Sequence, residues 1–493
     1  DAQESRGLGD VYKRQVLDNI KGDFNGVMIA GGLVVVMLAL NFLVYYLLLF
    51  LGRFVGKCLL AFTLIGNALS LYFINTYQVL ITDKMMGNVF NTRYSEASGF
   101  FSWDAVWYLL FLGVVPCIYL FARRVDYGSR RRFLTHTGAA LALSLAVALI
   151  NMQNWPWIDR HAPKIGSLIM PWSYVVNSVR YCNSERKRNR KEIPLPDARI
   201  ATDSRDVCVL VIGESARRAN FSLYGYGRPT NPLLERDSVT ALMADAAATY
   251  TTAGVKAILD HKPTNKLYEI LPNYLYRNGV DVVWRSANWG EPPLHIDKYY
   301  GTKELKARYP EADDRYDGIL LAGLRDEILS SDKDKLLIVL HTSTSHGPTY
   351  YKKYPAGFEV FKPVCTTVEM SKADPGELMN AYDNTIVYTD YLIHSVIGIL
   401  REVPRRSCLI FVSDHGESLG EGNLYMHGVP MLVAPKEQIE IPFLVWTSDG
   451  ELKADAGKQV GQYHVFHSVL RFLGIDSPVY DESLDIFSPT EKE

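Results

Sequence analysis

Four stretches of this chain, residues 26–52, 58–82, 105–122 and 134–158, contain no Asp, Glu, Lys or Arg. Each is long enough to cross the roughly 30 Å of hydrocarbon in a bilayer, where a charged side chain is costly. Buried helices of a soluble core would be the alternative, but such cores rarely hold uncharged runs of this length. A transmembrane domain of four spans over 26–158 is therefore predicted. Trp103, Trp107, Trp155 and Trp157 fall near the ends of these runs, where interfacial rings are favoured. The third run is the shortest and contains Pro116, so its limits are the least defined by sequence.

The loops set the orientation. Arg53 and Lys57 lie between the first and second runs, and Arg123, Arg124, Arg130, Arg131 and Arg132, against one Asp126, between the third and fourth. The positive-inside rule makes both loops cytoplasmic. The loop at 83–104 and everything after residue 158 are then external, which requires an external N-terminus as well. Residues 1–25 show no apolar export core. A further span missing upstream is the expectation, and the first 20 residues are left out of the reasoning.

Beyond the spans the character changes. Residues 158–181 mix Trp, Tyr and apolar side chains with few charges, as in a helix lying on a membrane surface. The basic run 185–191 and Pro194 and Pro196 then read as a solvated linker, with attraction to anionic headgroups as a plausible addition. Residues 159–196 are thus interfacial helix and linker. From 197 to 493 short β-branched runs, clearest at 207–212, 280–284, 336–340, 409–412 and 441–446, alternate with helical patterns. That alternation predicts one α/β domain with a mostly parallel sheet. Over all 493 residues, 52 Lys and Arg face 54 Asp and Glu, a net charge of −2, so no nucleic-acid partner is expected. Cys58 and Cys117 fall in spans and Cys208 and Cys408 in core strands, which leaves Cys182 and Cys365 and argues against a disulfide scaffold.

The chemistry gathers just past the carboxyl ends of strands, where α/β sheets bind ligands. Run 207–212 leads into Gly213-Glu214-Ser215. Run 336–340 leads into His341 and then Ser345-His346-Gly347-Pro348. Run 409–412 leads into Ser413-Asp414-His415-Gly416-Glu417-Ser418, with His427-Gly428 following. A lone histidine would be a structural hydrogen bonder, but Glu, Asp and His side chains collected after three strands make a zinc site. Zinc could activate water or hold a protein hydroxyl poised to attack phosphorus. Such a hydroxyl belongs at a helix N-terminus, where free N–H groups favour phosphate. Thr249-Tyr250-Thr251-Thr252-Ala253-Gly254, ahead of a helical pattern at 255–259, has that position, although an ordinary threonine cap would have it too.

These residues resemble a known family. Gly213-Glu214-Ser215 with Asn220-Phe-Ser-Leu-Tyr-Gly-Tyr226 and Thr230-Asn-Pro232, then Ser345-His-Gly-Pro348, then Ser413-Asp-His-Gly-Glu-Ser-Leu-Gly420 with His427-Gly428, look like the phosphoethanolamine transferases. These are inner-membrane enzymes of Gram-negative bacteria that include lipid A transferases and mobile colistin-resistance enzymes. The resemblance covers nearly the whole chain, and the family's extra N-terminal span agrees with the one inferred from charge. It implies an alkaline-phosphatase-like (sulfatase-like) catalytic domain in the periplasm, following the spans. Glu214, Asp414 and His415 match the family's zinc ligands, with the nucleophilic threonine as the fourth, and one or two zinc ions are expected. His346 and His427 match the histidines that hold the phosphoryl group or a second zinc. Asn88, Thr92 and Glu96 match a donor-lipid pattern, and their four-residue steps would put all three on one helix face, though a solvated polar face has the same spacing. Asn288 matches a substrate-pocket position.

Two features depart from the family. Its small-residue motif around the nucleophile is absent, so the candidates are Thr251 and Thr252. Thr252 is preferred because Val255 and Ile258 then fall where the family places a small apolar residue and a Val. Cys365 stands at a family disulfide position, but its partner is missing from 366–378. The expected reaction is transfer of phosphoethanolamine from phosphatidylethanolamine to lipid A or another glycan, through a covalent threonine intermediate, by a membrane-embedded monomer. A phosphoglycerol transferase or a sulfatase-like hydrolase would use the same sheet edge, and a catalytically dead sensor would keep the metal domain for binding alone.

Overall fold

The computed structural model describes residues 24–77, 79–91, 102–125, 128–154, 158, 165–188, 192–264, 266–450 and 452–487. The chain forms two compact units, the first ending at Glu185 and the second running from Arg186 onward apart from the hairpin tip Gly420–Leu424.

The first unit contains helices α1 (Phe24–Gly52), α2 (Phe54–Tyr77), α3 (Asp83–Asn91), α4 (Trp103–Ala122), α5 (Arg130–Ile150) and α6 (Trp172–Arg188). Four of them, α1, α2, α4 and α5, are long and apolar enough to cross a membrane, and at most 11% of their apolar stretches is buried. Helices of a soluble core would be enclosed, so the outward apolar faces favour lipid as their surroundings. Pro116 lies just after a π-helical turn, Leu109–Val114, within α4. A proline cannot donate to the carbonyl one turn back, and a local widening of the helix accommodates the lost bond. The fourth span is shorter than the uncharged run suggested. It begins on Arg130, where Ser129 caps it, and stops at Ile150, with the Asn151 amide bonded to Val147 O. Trp155 and Trp157 lie outside the described residues.

Polar side chains lock this unit. Lys57 donates from Nζ to Leu120 O (2.9 Å) and Arg123 O (2.8 Å), placing a cation on the free carbonyls that end α4. Helix α6 runs through Tyr181 into the basic stretch read as linker, so the first part of that stretch is helical. It is tied to the spans by Trp172 Nε1 to Asn41 Oδ1 (2.9 Å) and by Tyr174 OH to Asn67 Oδ1 (3.1 Å). Asn88 lies on α3, while Thr92 and Glu96 fall outside the described residues.

The second unit is built on eight strands: β1 (Asp206–Gly213), β2 (Thr240–Asp245), β3 (Asp281–Ser286), β4 (Lys298–Gly301), β5 (Lys335–His341), β6 (Arg406–Ser413), β7 (Glu440–Thr447) and β8 (Gln459–Gly461). Their order is β8-β2-β7-β6-β1-β5-β3-β4, with β7 antiparallel to both neighbours and every other pair parallel. The five runs read as strands are all present. β1 and β5 are buried along their whole length, which is why they read as unbroken apolar runs rather than as alternations.

Helix α7 (Thr251–Leu259) and a C-terminal helix over His464–Phe472 pack on one face of the sheet through Val255, Ile258, Phe466 and Leu470 against Leu210, Ile212 and Val412. Helix α8 (Pro375–Glu402) packs against β6. Register sets up the site: Ile212 pairs with both His341 and Val412, so three strands end level with one another. The six cysteines are all free thiols. Asp374 caps α8 by accepting from Gly376 N (2.8 Å) and Glu377 N (3.0 Å). Asp374→Ala is expected to cost about 1 kcal/mol, read as a lower denaturant midpoint; an unchanged midpoint would mean that the cap is dispensable.

Candidate metal and phosphoryl site

The aligned strand ends put Glu214 and Asp414 just past adjoining strands, both buried. The turn after β1 places Ser215 at φ +53°, a left-handed conformation unusual for a side chain with a Cβ. Hydrogen bonds compensate for that strain. Ser215 N donates to Asp414 Oδ1 (3.0 Å) and Ser215 Oγ to Glu214 Oε1 (2.8 Å), while Asp414 N donates to Gly213 O (2.9 Å).

His415 completes a trio. Its Nδ1 lies 2.8 Å from Gly416 O, which makes Nδ1 the protonated nitrogen and leaves the Nε2 lone pair facing the carboxylates. Nε2 is 3.4 Å from Asp414 Oδ2 and 3.6 Å from Glu214 Oε1. One ligand atom from each of Glu214, Asp414 and His415 falls within a 4.8 Å cluster. Asp414 Oδ2 is buried with no hydrogen-bond partner among the described residues. An orphaned carboxylate oxygen beside a second carboxylate and an imidazole lone pair is the donor set of a zinc site, so these residues fit the metal.

Electrostatics point the same way. Burial, with Glu214 alongside, pushes the Asp414 carboxyl up to about 7. For Glu214, burial opposes ionisation, but the fields of His346, His415 and His427 where these are protonated, with the hydrogen bond from Ser215, outweigh it and hold the carboxyl below its usual range. Without a cation one carboxyl of the pair therefore keeps its proton near neutrality.

Helix α7 brings the hydroxyl. It starts at Thr251, whose Oγ1 lies 3.4 Å from Glu214 Oε2, 3.5 Å from Glu214 Oε1 and 3.4 Å from His415 Nε2. Among the described residues the Thr252 hydroxyl bonds to none of the trio, although the methyls of both threonines face Gly290. One residue along a helix turns a side chain by about 100°, so only one of the two threonines can point inward. Here it is Thr251. The approach also needs Gly254: a Cβ there would stand 2.1 Å from Asp414 O.

His346 and His427 face each other across the mouth of the trio, ring centroids 5.6 Å apart, with His427 4.3 Å from His415. Burial pushes each down to about 3, so both are neutral at pH 7 with a lone pair free for a metal or a proton. Asn288 is buried with Nδ2 on Glu214 Oε2 and on Thr342 O, both at 2.7 Å. One amide hydrogen thus holds the carboxylate and the other ties the side chain to the turn after β5. Sequence reasoning did not single out Gln462, which donates from Nε2 to Ser413 O (2.9 Å) and Asp414 O (2.6 Å) and accepts from Ala247 N (2.9 Å). An isolated glutamine carries no pattern by which to find it.

Comparisons with known proteins show the family and the fold. The family described as Phosphoethanolamine transferase EptA/EptB matches residues 36–186, and Sulfatase matches 206–475. Phosphoethanolamine transferase EptA of Helicobacter pylori is 40% identical over 434 residues, 85% of this chain and 83% of that protein. The solved lipooligosaccharide phosphoethanolamine transferase A of Neisseria meningitidis superposes with a TM-score of 0.85 at 26% identity, covering 97% of this chain and 95% of that one. The periplasmic domain of EcEptC from Escherichia coli, solved in complex with Zn, shares the fold at 23% identity and a TM-score of 0.51, over 62% of this chain and 92% of that one.

Gly254→Ala is expected to displace the turn that carries Asp414. Overpacking of this kind costs about 1–3 kcal/mol, so both the melting temperature and the zinc content of the purified protein should fall. Full zinc content in that variant would remove the requirement for close approach.

Proposed function

Because the chain belongs to the phosphoethanolamine transferases, we propose that it moves phosphoethanolamine from phosphatidylethanolamine to lipid A or another lipopolysaccharide glycan, with Thr251 as nucleophile. The observation that carries this is the Thr251 hydroxyl 3.4 Å from both Glu214 and His415, at the start of α7 and beside the unpartnered Asp414 oxygen. Zinc held by Glu214, Asp414, His415 and Thr251 would supply the charge that lowers the pKa of the threonine hydroxyl.

The chain's own groups account for the rest. The open N–H groups in the first turn of α7 attract the donor phosphate. Thr251 Oγ1 forms a bond to phosphorus as the bond to the diacylglycerol oxygen breaks, and the hydroxyl proton passes to the departing oxygen. Neutral His346 and His427 hold the equatorial oxygens or carry that proton. An acceptor oxygen then attacks phosphorus, breaks the bond to Thr251 and returns the proton. Thr252, preferred from family spacing, is replaced here by Thr251 on the direction of the side chain. Asn288 supports Glu214, and Asn88, Thr92 and Glu96 are assigned to the donor headgroup.

Four apolar helices joined to a polar catalytic domain suit a lipid donor and a lipid-linked acceptor, because both substrates stay at one surface. An inner-membrane location with the catalytic domain in the periplasm rests on the family, and the basic loops at Arg53–Lys57 and Arg123–Arg132 support the matching orientation. Family membership weighs against the phosphoglycerol and sulfatase-like alternatives. Mass spectrometry of envelope glycolipids tests the reaction: cells carrying the protein should gain one phosphoethanolamine on a defined glycolipid, and unchanged glycolipids would refute the transfer. Thr251→Ala should abolish that gain and Thr252→Ala should retain most of it; the opposite result would restore Thr252. Asp414→Ala should lose both transfer and zinc, and full zinc occupancy in that variant would count against the ligand assignment.

A further inference from the structure

Two turns carry histidines to the site, residues 414–416 with His415 and residues 426–429 with His427, and one residue outside the metal cluster grips both, the second with its side chain and the first with its main chain. Gln438 lies in a short helix, Lys436–Ile439, and is wholly buried. Its Nε2 donates to Met426 O and to Ser418 Oγ, each at 2.9 Å, and its Oε1 accepts from Val429 N at 3.2 Å. Met426 and Val429 bracket His427 and Gly428, so the amide clasps the turn on both sides of the histidine. The main chain of the same residue holds the other turn, Gly416 N donating to Gln438 O at 3.0 Å. Contact there is so close that a Cβ on Gly416 would stand 2.0 Å from Glu437 O.

We infer that Gln438 is a positioning residue that fixes His427 against His415, and so sets the gap that a phosphoryl group must fill. The inference rests on the assignment of His427 to the phosphoryl group. An amide suits the task because it supplies two donors and an acceptor without charge. A carboxylate would add another negative group near Glu214, Asp414 and Glu417, and could not donate. Thr249 closes the same loop from the nucleophile side, with Thr249 Oγ1 donating to Val429 O (2.6 Å) and Gly428 N to Thr249 O (2.7 Å). The His427 turn is thus held between the residue that starts the Thr251 turn and the residue that supports the His415 turn. Without Gln438, Met426 O and Val429 N lose their side-chain partners, which leaves the Thr249 bonds, the contact of His427 Nδ1 with Glu417 Oε2 (3.3 Å) and the pairing of Met426 with Ser418 to restrain the loop.

A double-mutant cycle on the full chain tests this, with a fluorescent phosphatidylethanolamine as donor and a lipid A acceptor in mixed micelles. Gln438→Met, matched in size and apolar, should lower transfer about tenfold or more through misplacement of His427. Zinc content should stay at the wild-type level, because Glu214, Asp414 and His415 are untouched. In a His427→Ala background the same substitution should cost less than about twofold, since the group it positions is already gone. Equal losses in both backgrounds, unchanged transfer in Gln438→Met, or loss of zinc would each overturn the inference. If Gln438→Met does not fold, Gln438→Glu, which keeps the acceptor but loses both donors, goes through the same cycle with the same criteria. Wild-type transfer in His427→Ala would remove the phosphoryl assignment and the clamp together. A deep loss in His427→Ala with additive behaviour at Gln438 would remove only the clamp.

Discussion

Glu214 and Asp414 are two carboxylates buried side by side at level strand ends, and the catalytic domain is arranged around the cost of keeping them there. An uncompensated buried charge costs about 3–5 kcal/mol. Hydrogen bonds from Ser215, His415 N and Asn288 meet only part of that cost. Among the described residues one Asp414 oxygen has no hydrogen-bond partner, and burial raises its carboxyl to about 7. A divalent cation is the natural compensation, and His415 turns a lone pair toward the same point. The strain at Ser215, the bare Cα of Gly254 and the clasp of Gln462 all serve to hold these groups in place.

The same arrangement supports the proposal that a threonine is the nucleophile. A hydroxyl ordinarily keeps its proton at neutral pH, and only a strong local charge changes that. Thr251 reaches the carboxylate pair because α7 begins directly above it, and α7 is anchored by Val255 and Ile258 deep in the core. Mispacking at those two residues would therefore be felt at the hydroxyl, although neither touches it.

Much of this was legible in the sequence. The missing charges mark the four apolar helices, and the motifs after β1, β5 and β6 mark the sheet edge, because a parallel sheet delivers the ends of its strands to one side. The ends of the spans were less legible, since Arg130–Arg132 begin α5 instead of preceding it and Asn151 ends it early. Strand β2 was missed because Thr240–Asp245 is only partly buried and its short apolar run, Ala241 to Ala244, has no β-branched or aromatic residue. The choice between Thr251 and Thr252 depended on where α7 begins, and a shift of one residue moves a hydroxyl out of the site. Gln438 and Gln462 act singly through their amides, so neither hydrophobic period nor motif spacing reveals them.

The central claim is that the Thr251 hydroxyl takes the phosphoryl group at a carboxylate–histidine metal site. Peptide mass spectrometry of the purified full chain, incubated with phosphatidylethanolamine and no acceptor, tests it most directly. A phosphoethanolamine adduct on Thr251, absent from the Asp414→Ala protein and discharged when an acceptor lipid is added, is the result the structure predicts. An adduct on Thr252 or on a histidine, or turnover of the donor with no adduct anywhere on the chain, would contradict it.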